Sequence, residues 1–354
     1  MPRIERLRAL LPGERVDCLL VARVSNLRYL TGFTGSAGLL LVEEREATFY
    51  TDGRYTLQAA AEVKGARVVV PKHGVLDVVL RRLKKKPYRR IGFEAGVSYL
   101  QYRKMAEELG ARRLRPVTDA VERLRLVKDE REISAIRAAA ELNSRVLEEV
   151  LPMIRVGMKE ADMAAEIEFR MRRRGADKPA FETIVASGPH SAMPHARPSS
   201  RTFGKNEFIV LDQGAILAGY ASDMTRTVHL GRAGRASREL YATVLEAHEQ
   251  AKAAVHAGVS CRAVDKAARA PIQARGWSQY FPHSTGHGLG LDVHEMPRIA
   301  AREKAILPAG AVVTIEPGVY LPGTGGVRIE DLVVVRENGA ETLTPSPKKF
   351  LVIS

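Results

Sequence analysis

The sequence predicts an α/β N-terminal domain over residues 1–124, followed by an α+β domain over residues 125–354. Three observations support this division. Strand-like and helix-like segments alternate at short spacing in the first part. A long amphipathic helix begins soon after Leu124. The remaining sequence mixes helical segments with strands that carry acidic residues where apolar ones are usual. A chain of 354 residues is long enough to bury a core in each domain.

The elements of the first domain follow from its hydrophobic pattern. VDCLLVA is a continuous apolar run, and LLLVEEREATFYTD indicates two strands around a charged turn at residues 43–46. Gly110 ends the last helical segment. The predicted strands cover residues 16–22, 39–52, 66–71 and 90–95, and the predicted helices cover residues 54–63, 74–83 and 98–110. This pattern is typical of a mostly buried sheet.

The second domain is predicted to begin with a helix that Asp129 and Glu132 cap at its N-terminus. The apolar stripe of this helix comprises Ile133, Ile136, Ala140, Leu147 and Leu151. Pro152 is expected to end the helix. Further helices are predicted over residues 159–174, 237–256 and 262–275. Strands are predicted in EFIVLDQGA, GYASDMTRTVHL, AVVTIEPGVY and GVRIEDLVVV.

Composition restricts the function classes. Apolar residues make up 45% of the chain and charged residues 27%, as in a soluble globular protein. The net charge is +14, but the basic runs at residues 81–90 and 170–175 are short and carry few aromatic residues. We therefore predict a solvated basic surface and no nucleic-acid partner.

The chain shows no sign of a membrane or of export. It has no run of about 18 apolar residues, and its first residues are too charged for a signal peptide. Cys18 lies in a strand-like segment and is expected to be a buried thiol. With Cys261 as the only other cysteine, a cytoplasmic protein is expected.

Four acidic residues interrupt strand-like segments of the second domain: Asp212, Asp223, Glu316 and Glu330. Each alone has an ordinary explanation, as a turn residue, a strand-end acid or a partner of Arg328. Together, four carboxylates in a core would repel one another unless positive charge lay between them. The sequence therefore predicts a pair of divalent metal ions. An oxygen-rich site favours Mn(II), with Zn or Co as alternatives.

Histidines cluster in the glycine-rich segment HSTGHGLGLDVHE, which contains His283, His287 and His294. The glycines would let the backbone approach a crowded centre. We expect at most one or two of these imidazoles to be ligands, because the remainder can donate to a developing oxyanion or transfer protons. His190 and His195 lie upstream in SGPHSAMPHARP, for which a surface loop is the ordinary explanation.

These segments, in this order, resemble the pita-bread metallopeptidases, in particular aminopeptidase P and prolidase, which cleave Xaa-Pro bonds. The resemblance covers essentially the whole chain and rests on LDQGA, GYASDMTRT, HSTGHGLGLDVHE, IEPGVY and GVRIED. It implies a creatinase-like N-terminal domain and a pita-bread catalytic domain.

The resemblance also implies roles for individual residues. The implied metal ligands are Asp212, Asp223, His287, Glu316 and Glu330, with Asp223 and Glu330 bridging two ions. A hydroxide between the ions would attack the carbonyl, and Glu316 would pass its proton to the leaving nitrogen. His195 and His294 would contact the substrate carbonyl and stabilise the tetrahedral intermediate. His283 would lie near the metal site, and Arg328 beside the bridging Glu330.

The implied substrate is a peptide with proline at its second position. A proline nitrogen is a poor leaving group unless it is protonated, which is consistent with an acid such as Glu316. Proline offers no N–H, so selection requires a shaped apolar pocket. The alternative is a prolidase restricted to dipeptides, in which Arg298 or Arg54 would hold the free carboxylate. A homodimer is implied as well.

Other classes share parts of this pattern. A methionine aminopeptidase would have the same ligands, but the additional α/β domain and the PHARP segment argue against it. Creatinase has this fold without metal, but its ligand positions are replaced. A binding protein of this fold would be expected to have lost ligands, whereas all five are present here.

Overall fold

The computed structural model describes residues 1–354. Its internal contacts divide the chain into two compact units, Met1–Arg125 and Leu126–Ser354. The sequence-based boundary after residue 124 lies one residue from this division. No helix in the chain is both long enough and apolar enough to span a bilayer.

The first unit is built around one mixed sheet of six strands, in the order β4-β3-β2-β1-β5-β6. Antiparallel pairing joins β1 to β2 and β2 to β3, whereas the pairs β3–β4, β1–β5 and β5–β6 are parallel. Its elements are α1 Arg3–Glu14, β1 Cys18–Val21, α2 Val24–Thr31, β2 Leu39–Glu43, β3 Ala47–Tyr50, α3 Thr56–Glu62, β4 Arg67–Val69, α4 Val75–Lys84, β5 Ile91–Glu94, α5 Tyr99–Leu109, β6 Leu114–Val117 and α6 Ala120–Leu126.

The predicted strands of this unit are all present. Every residue of β1, β2 and β3 is buried, which explains their near-continuous apolar sequence. Cys18 is fully buried and is a free thiol, as expected. The helix predicted over residues 54–63 begins as a 3₁₀ turn at Gly53–Tyr55 before α3. α1, α2, β6 and α6 were not predicted.

The second unit contains the longest helix and most of the strands. Its elements are α7 Glu130–Val150, α8 Glu160–Arg173, β7 Lys178–Pro179, β8 Ile184–Ser187, β9 Glu207–Gln213, β10 Ala215–Leu217, β11 Tyr220–Ala221, β12 Met224–Leu230, α9 Arg235–Ala253, α10 Cys261–Ala274, β13 Gly286–Gly288, β14 Glu295–Ile299, β15 Val312–Ile315, β16 Gly318–Leu321, β17 Gly325–Arg328, β18 Asp331–Arg336, β19 Gly339–Thr342 and β20 Val352–Ile353.

α7 has the predicted N-terminal capping box. The Asp129 carboxylate accepts a hydrogen bond from the Glu132 N–H at 2.9 Å, and Glu132 accepts one from the Asp129 N–H. The α-helix ends at Val150, one residue before its expected end, and Pro152 lies inside a 3₁₀ turn that follows. The predicted strand GYASDMTRTVHL is two strands, since Ser222 and Asp223 separate β11 from β12.

Two sheets of this unit form the framework of the acidic cluster. One has four strands in the order β20-β12-β9-β8, and the other has five in the order β14-β13-β15-β18-β19. A backbone hydrogen bond of 3.1 Å from the Glu330 N–H to the Thr225 carbonyl connects them. Acidic residues on either sheet can therefore approach one another.

Candidate metal centre

The five predicted ligands lie in strands or at strand ends of the two sheets. Asp212 is in β9, and Asp223 immediately precedes β12. These strands form an antiparallel pair in which Asp212 faces Thr225. On the other sheet His287 is in β13, Glu316 follows β15, and Glu330 lies between β17 and β18.

Three of these side chains form a compact group. Ligand atoms of Asp223, His287 and Glu330 all lie within 4.8 Å of one another. The His287 Nε2 is 3.6 Å from an Asp223 oxygen and 3.5 Å from the Glu316 Oε1, which brings the fourth ligand to the same point. The Thr225 hydroxyl donates to Glu330 at 2.7 Å and orients that carboxylate.

The carboxylates are costly to keep ionised in this position. Burial raises the pKa of Asp223 well above its usual value, and the Asp212 and Glu316 charges add to the effect. Burial and the neighbouring Asp223 carboxylate do the same for the pKa of Glu330. Burial raises the pKa of Glu316 to about 7 against the opposing Arg328 charge. Keeping all these carboxylates ionised at once would therefore need positive charge beyond that of Arg328.

The donor set fits divalent cations. The Asp212 Oδ1 is buried and has no hydrogen-bond partner, although its other oxygen accepts a 2.6 Å bond from Arg328. The His287 Nδ1–H donates to the Gly288 carbonyl at 2.9 Å, so the Nε2 lone pair is free to bind a metal. Carboxylate oxygens with one imidazole form a hard site.

Arg328 pairs with Asp212 rather than with Glu330. The sequence placed it beside Glu330, but its Nη2 pairs with Asp212 at 2.6 Å and its Nη1 donates to the Tyr320 hydroxyl at 2.7 Å. The Arg328 side chain reaches β9 because the packing of β17 against that strand brings Asp212 within its range. Thr225 touches both residues, accepting from Arg328 and donating to Glu330.

His283 contacts this network through Tyr320, which sequence reasoning did not single out. The His283 Nδ1–H donates to the Ser284 carbonyl at 2.8 Å, so its Nε2 accepts from the Tyr320 hydroxyl at 2.9 Å. Burial, with Arg328 nearby, lowers the pKa of His283 to about 4. Tyr320 lies in the quoted IEPGVY segment, but its role depends on contacts that only the fold creates.

The two histidines expected to contact substrate are both exposed. The His294 ring centroid lies 4.3 Å from that of His287. The ring of His294 is nevertheless partly enclosed, and this partial burial lowers its pKa, with the His195 charge lowering it further. The His195 charge also affects His283, so His195 lies in the same electrostatic neighbourhood. The structure thus places the His294 ring against His287, with His195 close enough to influence His283 and His294.

The two candidate carboxylate-binding arginines differ in position. Arg298 is exposed in β14, directly opposite His287 in the antiparallel pair with β13. Arg54 belongs to the first unit. Its Nε and Nη2 both donate to Asp52 at 2.9 Å, so two of its donors are already used.

Comparison with known proteins agrees with this geometry. Residues 134–337 match metallopeptidase family M24, and residues 3–127 match the creatinase/prolidase N-terminal domain. The chain belongs to metallopeptidase family M24. The resemblance seen in the sequence is therefore confirmed, as are the predicted fold class and the metallopeptidase class.

Similar proteins include Xaa-Pro dipeptidases and an X-Pro aminopeptidase. The chain is 35% identical to the Xaa-Pro dipeptidase of Pyrococcus furiosus, over 99% of both chains. The structure of an Xaa-Pro dipeptidase from Bacillus anthracis is similar at a TM-score of 0.96, with 38% identity and 99% of each chain covered. That of an X-Pro aminopeptidase from Thermotoga maritima is similar at a TM-score of 0.90, also with 38% identity, over 99% of this chain and 100% of the other.

Proposed function

We propose that this M24 enzyme hydrolyses the bond between an N-terminal residue and a following proline. The observation that carries the proposal is the convergence of Asp223, His287 and Glu330 within 4.8 Å, with Glu316 and Asp212 beside them. Relatives named for Xaa-Pro cleavage, at 35–38% identity over almost the whole chain, support the substrate class.

The five ligands would hold two divalent ions, for which Mn(II) is the favoured metal. Bound there, the ions would act as Lewis acids. They would polarise the scissile carbonyl and lower the pKa of a bound water molecule. Asp212 and Asp223 would contribute from one sheet, and His287, Glu316 and Glu330 from the other. An oxygen-rich donor set favours Mn(II), whereas structural zinc sites typically have thiolate ligands.

The surrounding residues have distinct proposed tasks. The Glu316 side chain is 17% exposed, against 12% for Asp212 and 7% for Asp223. It is therefore placed to pass a proton to the departing proline nitrogen. His195 and His294, both exposed, would donate hydrogen bonds to the carbonyl oxygen as negative charge develops on it. His283 and Tyr320 would hold Arg328, which orients Asp212.

The second candidate function is a prolidase that cleaves only dipeptides, and the position of Arg298 favours it. An exposed guanidinium opposite His287 can pair with a substrate carboxylate near the metal ligands. Arg54 is the weaker candidate, because Asp52 already occupies two of its donors.

Hydrolysis of an Xaa-Pro dipeptide, an Xaa-Pro-Yaa tripeptide and an Xaa-Ala dipeptide tests the proposal. We expect cleavage only after the residue preceding proline. Absence of proline-dependent cleavage with Mn(II) present would contradict it.

Arg298→Ala tests the length restriction, with the exposed Arg302→Ala as matched control. If Arg298 holds the carboxylate, its loss raises KM for the dipeptide about 10-fold or more, as expected for a charged hydrogen bond. KM for a tripeptide should change little. Equal effects on both substrates would contradict this role.

Two further features belong to the proposal. We propose a homodimer, and the exposed apolar side chains of Leu57, Tyr99 and Leu100 on the first unit offer surface for association. We also propose a cytoplasmic setting, because Cys18 and Cys261 are both buried free thiols rather than partners in a disulfide. Light scattering and cell fractionation test these two statements.

A further inference from the structure

A buried carboxylate outside the metal centre holds the loop that carries His195. Glu160 lies in the first turn of α8 and is 0% exposed. Its Oε1 accepts from the N–H and the hydroxyl of Ser187, both at 2.8 Å. Its Oε2 accepts from the Ser199 hydroxyl at 2.7 Å and the Ser199 N–H at 3.2 Å. The His190 Nδ1–H reaches the same carboxylate at 2.8 Å.

These five donors all come from one segment, residues 187–199, with Ser187 and Ser199 at its two ends. Glu160 therefore closes the segment into a loop by binding both of its ends at once. A buried carboxylate is stable only when its oxygens are well supplied with donors, and here the loop supplies them. The loop and the carboxylate thus depend on each other.

The far side of the loop is fixed against β17. The Gly326 N–H donates to the Ser191 hydroxyl at 2.8 Å, and a Cβ at Gly326 would lie 2.2 Å from the Ser191 carbonyl oxygen. Arg328 donates to the Pro194 carbonyl at 3.0 Å. The peptide before His195 is therefore joined to the arginine that binds Asp212, while Glu160 holds the loop base.

We propose that Glu160 is a positioning residue for His195: it fixes the loop so that the imidazole meets the substrate carbonyl. The role rests on the proposed Xaa-Pro peptidase function. Glu160 touches neither substrate nor metal ligands in this scheme and acts only through the loop. His190, Ser187 and Ser199 transmit its effect.

Glu160→Gln tests this role, because the amide keeps the shape but replaces one acceptor oxygen with an N–H₂ group that cannot accept from these donors. We expect kcat for Xaa-Pro hydrolysis to fall about 10- to 100-fold, the scale of a misplaced catalytic group, with a smaller change in KM. Mn(II) binding by calorimetry should be unchanged. Asp162→Asn, which removes an exposed carboxylate in the same helical turn, is the matched control and should keep full activity.

A double-mutant cycle separates positioning from general damage. If Glu160 acts through His195, Glu160→Gln lowers kcat in the wild type but not in the His195→Ala background. Equal losses in both backgrounds would overturn the role, as would a fully active Glu160→Gln enzyme. Ser199→Ala, which removes one donor, should show a smaller loss with the same non-additivity, and it replaces Glu160→Gln in the cycle if that variant does not fold.

Wild-type activity separates a failure of the Glu160 role from a failure of the proposed peptidase function. An active wild type with an additive or silent Glu160→Gln would overturn only the role of Glu160. A wild type that cleaves no Xaa-Pro peptide with Mn(II) present would overturn the peptidase function, and the role of Glu160 with it.

Discussion

His287 shows how a single residue is prepared for metal binding. Burial, with the nearby His294, lowers the pKa of His287 to about 4, so the ring is neutral near pH 7. Donation from Nδ1 to the Gly288 carbonyl fixes the tautomer and leaves the Nε2 lone pair directed at Asp223 and Glu316. A ligand that already has the required protonation state and orientation releases no proton and loses little freedom on binding.

Asp223→Asn tests the charge argument at this scale. The amide is similar in size but uncharged, so it removes one of the repelling carboxylates while weakening metal binding. We expect turnover to be lost and the metal-free variant to melt no lower than the metal-free wild type, by differential scanning fluorimetry. Mn(II) at about 100 times its Kd should stabilise the wild type by about 2.7 kcal/mol and the variant far less. Equal stabilisation of the two would contradict the assignment.

Individual site residues could be predicted from sequence because their types are unusual for strands. An acid in an apolar strand, such as Asp212 or Glu330, needs a special reason to be buried. The partner of Arg328 could not be predicted, because Asp212 is 116 positions away and meets it only when β9 and β17 are packed. Glu160 also gave no signal, since a glutamate in the first helical turn is ordinary.

Among the secondary-structure elements, β13 and β15 must approach closely to form the proposed metal centre. A Cβ at Gly286 would lie 1.9 Å from the Thr314 carbonyl oxygen, far inside van der Waals contact. Thr314 also accepts the His287 N–H at 3.0 Å through its hydroxyl. Glycine at position 286 therefore sets the distance between the strands that carry His287 and Glu316.

Gly286→Ala should force β13 and β15 apart. We expect a loss of unfolding free energy of about 1–3 kcal/mol, the usual range for overpacking, together with weaker Mn(II) binding. Urea unfolding and metal titration measure the two effects. Gly96→Ala is the control, because a Cβ there meets nothing within 4 Å. Wild-type metal affinity in Gly286→Ala would contradict the proposed close approach.

Sequence patterns predicted long or strongly apolar elements better than short ones. The capping pair and stripe of α7 predicted that helix to within one residue of its end. α2 and β6 were missed because they are short and their stability comes from tertiary contacts. Asn26 of α2, for example, donates to Glu94 at 2.6 Å across 68 positions, and two of the four β6 residues are exposed.

At the scale of the whole molecule, a second buried charge network lies behind the metal ligands in the unit Leu126–Ser354. Arg226 pairs with Asp331 at 2.7 Å, and Lys348 pairs with the same carboxylate at 2.6 Å. His248 of α9 lies 3.4 Å from Asp331 but without hydrogen-bond geometry. The network joins a helix, two strands and the C-terminal segment, so its charges affect the stability of the entire unit.

His248 is expected to make the protein sensitive to acid. Burial lowers the pKa of His248, with Lys348 adding to this and Glu249 and Asp331 opposing it. As the pH falls below about 6.5, His248 is therefore protonated in the unfolded chain before it is protonated in the folded protein. The free energy of unfolding decreases until the pH falls below the folded-state pKa of His248. The urea midpoint of His248→Gln should fall less than that of the wild type between pH 6.5 and pH 4.5. The exposed His73→Gln is the control, and parallel curves for all three proteins would contradict the expectation.

The central claim is that two Asp, two Glu and one His of this chain hold catalytic divalent ions. The most direct measurement removes metal with a chelator, restores Mn(II) stepwise, and records bound metal per chain and Xaa-Pro dipeptide hydrolysis on the same samples. We predict that hydrolysis is lost with the metal and returns in step with it, as two ions bind to each chain. Hydrolysis that persists in metal-free protein, or a chain that retains no divalent ion, would contradict the account.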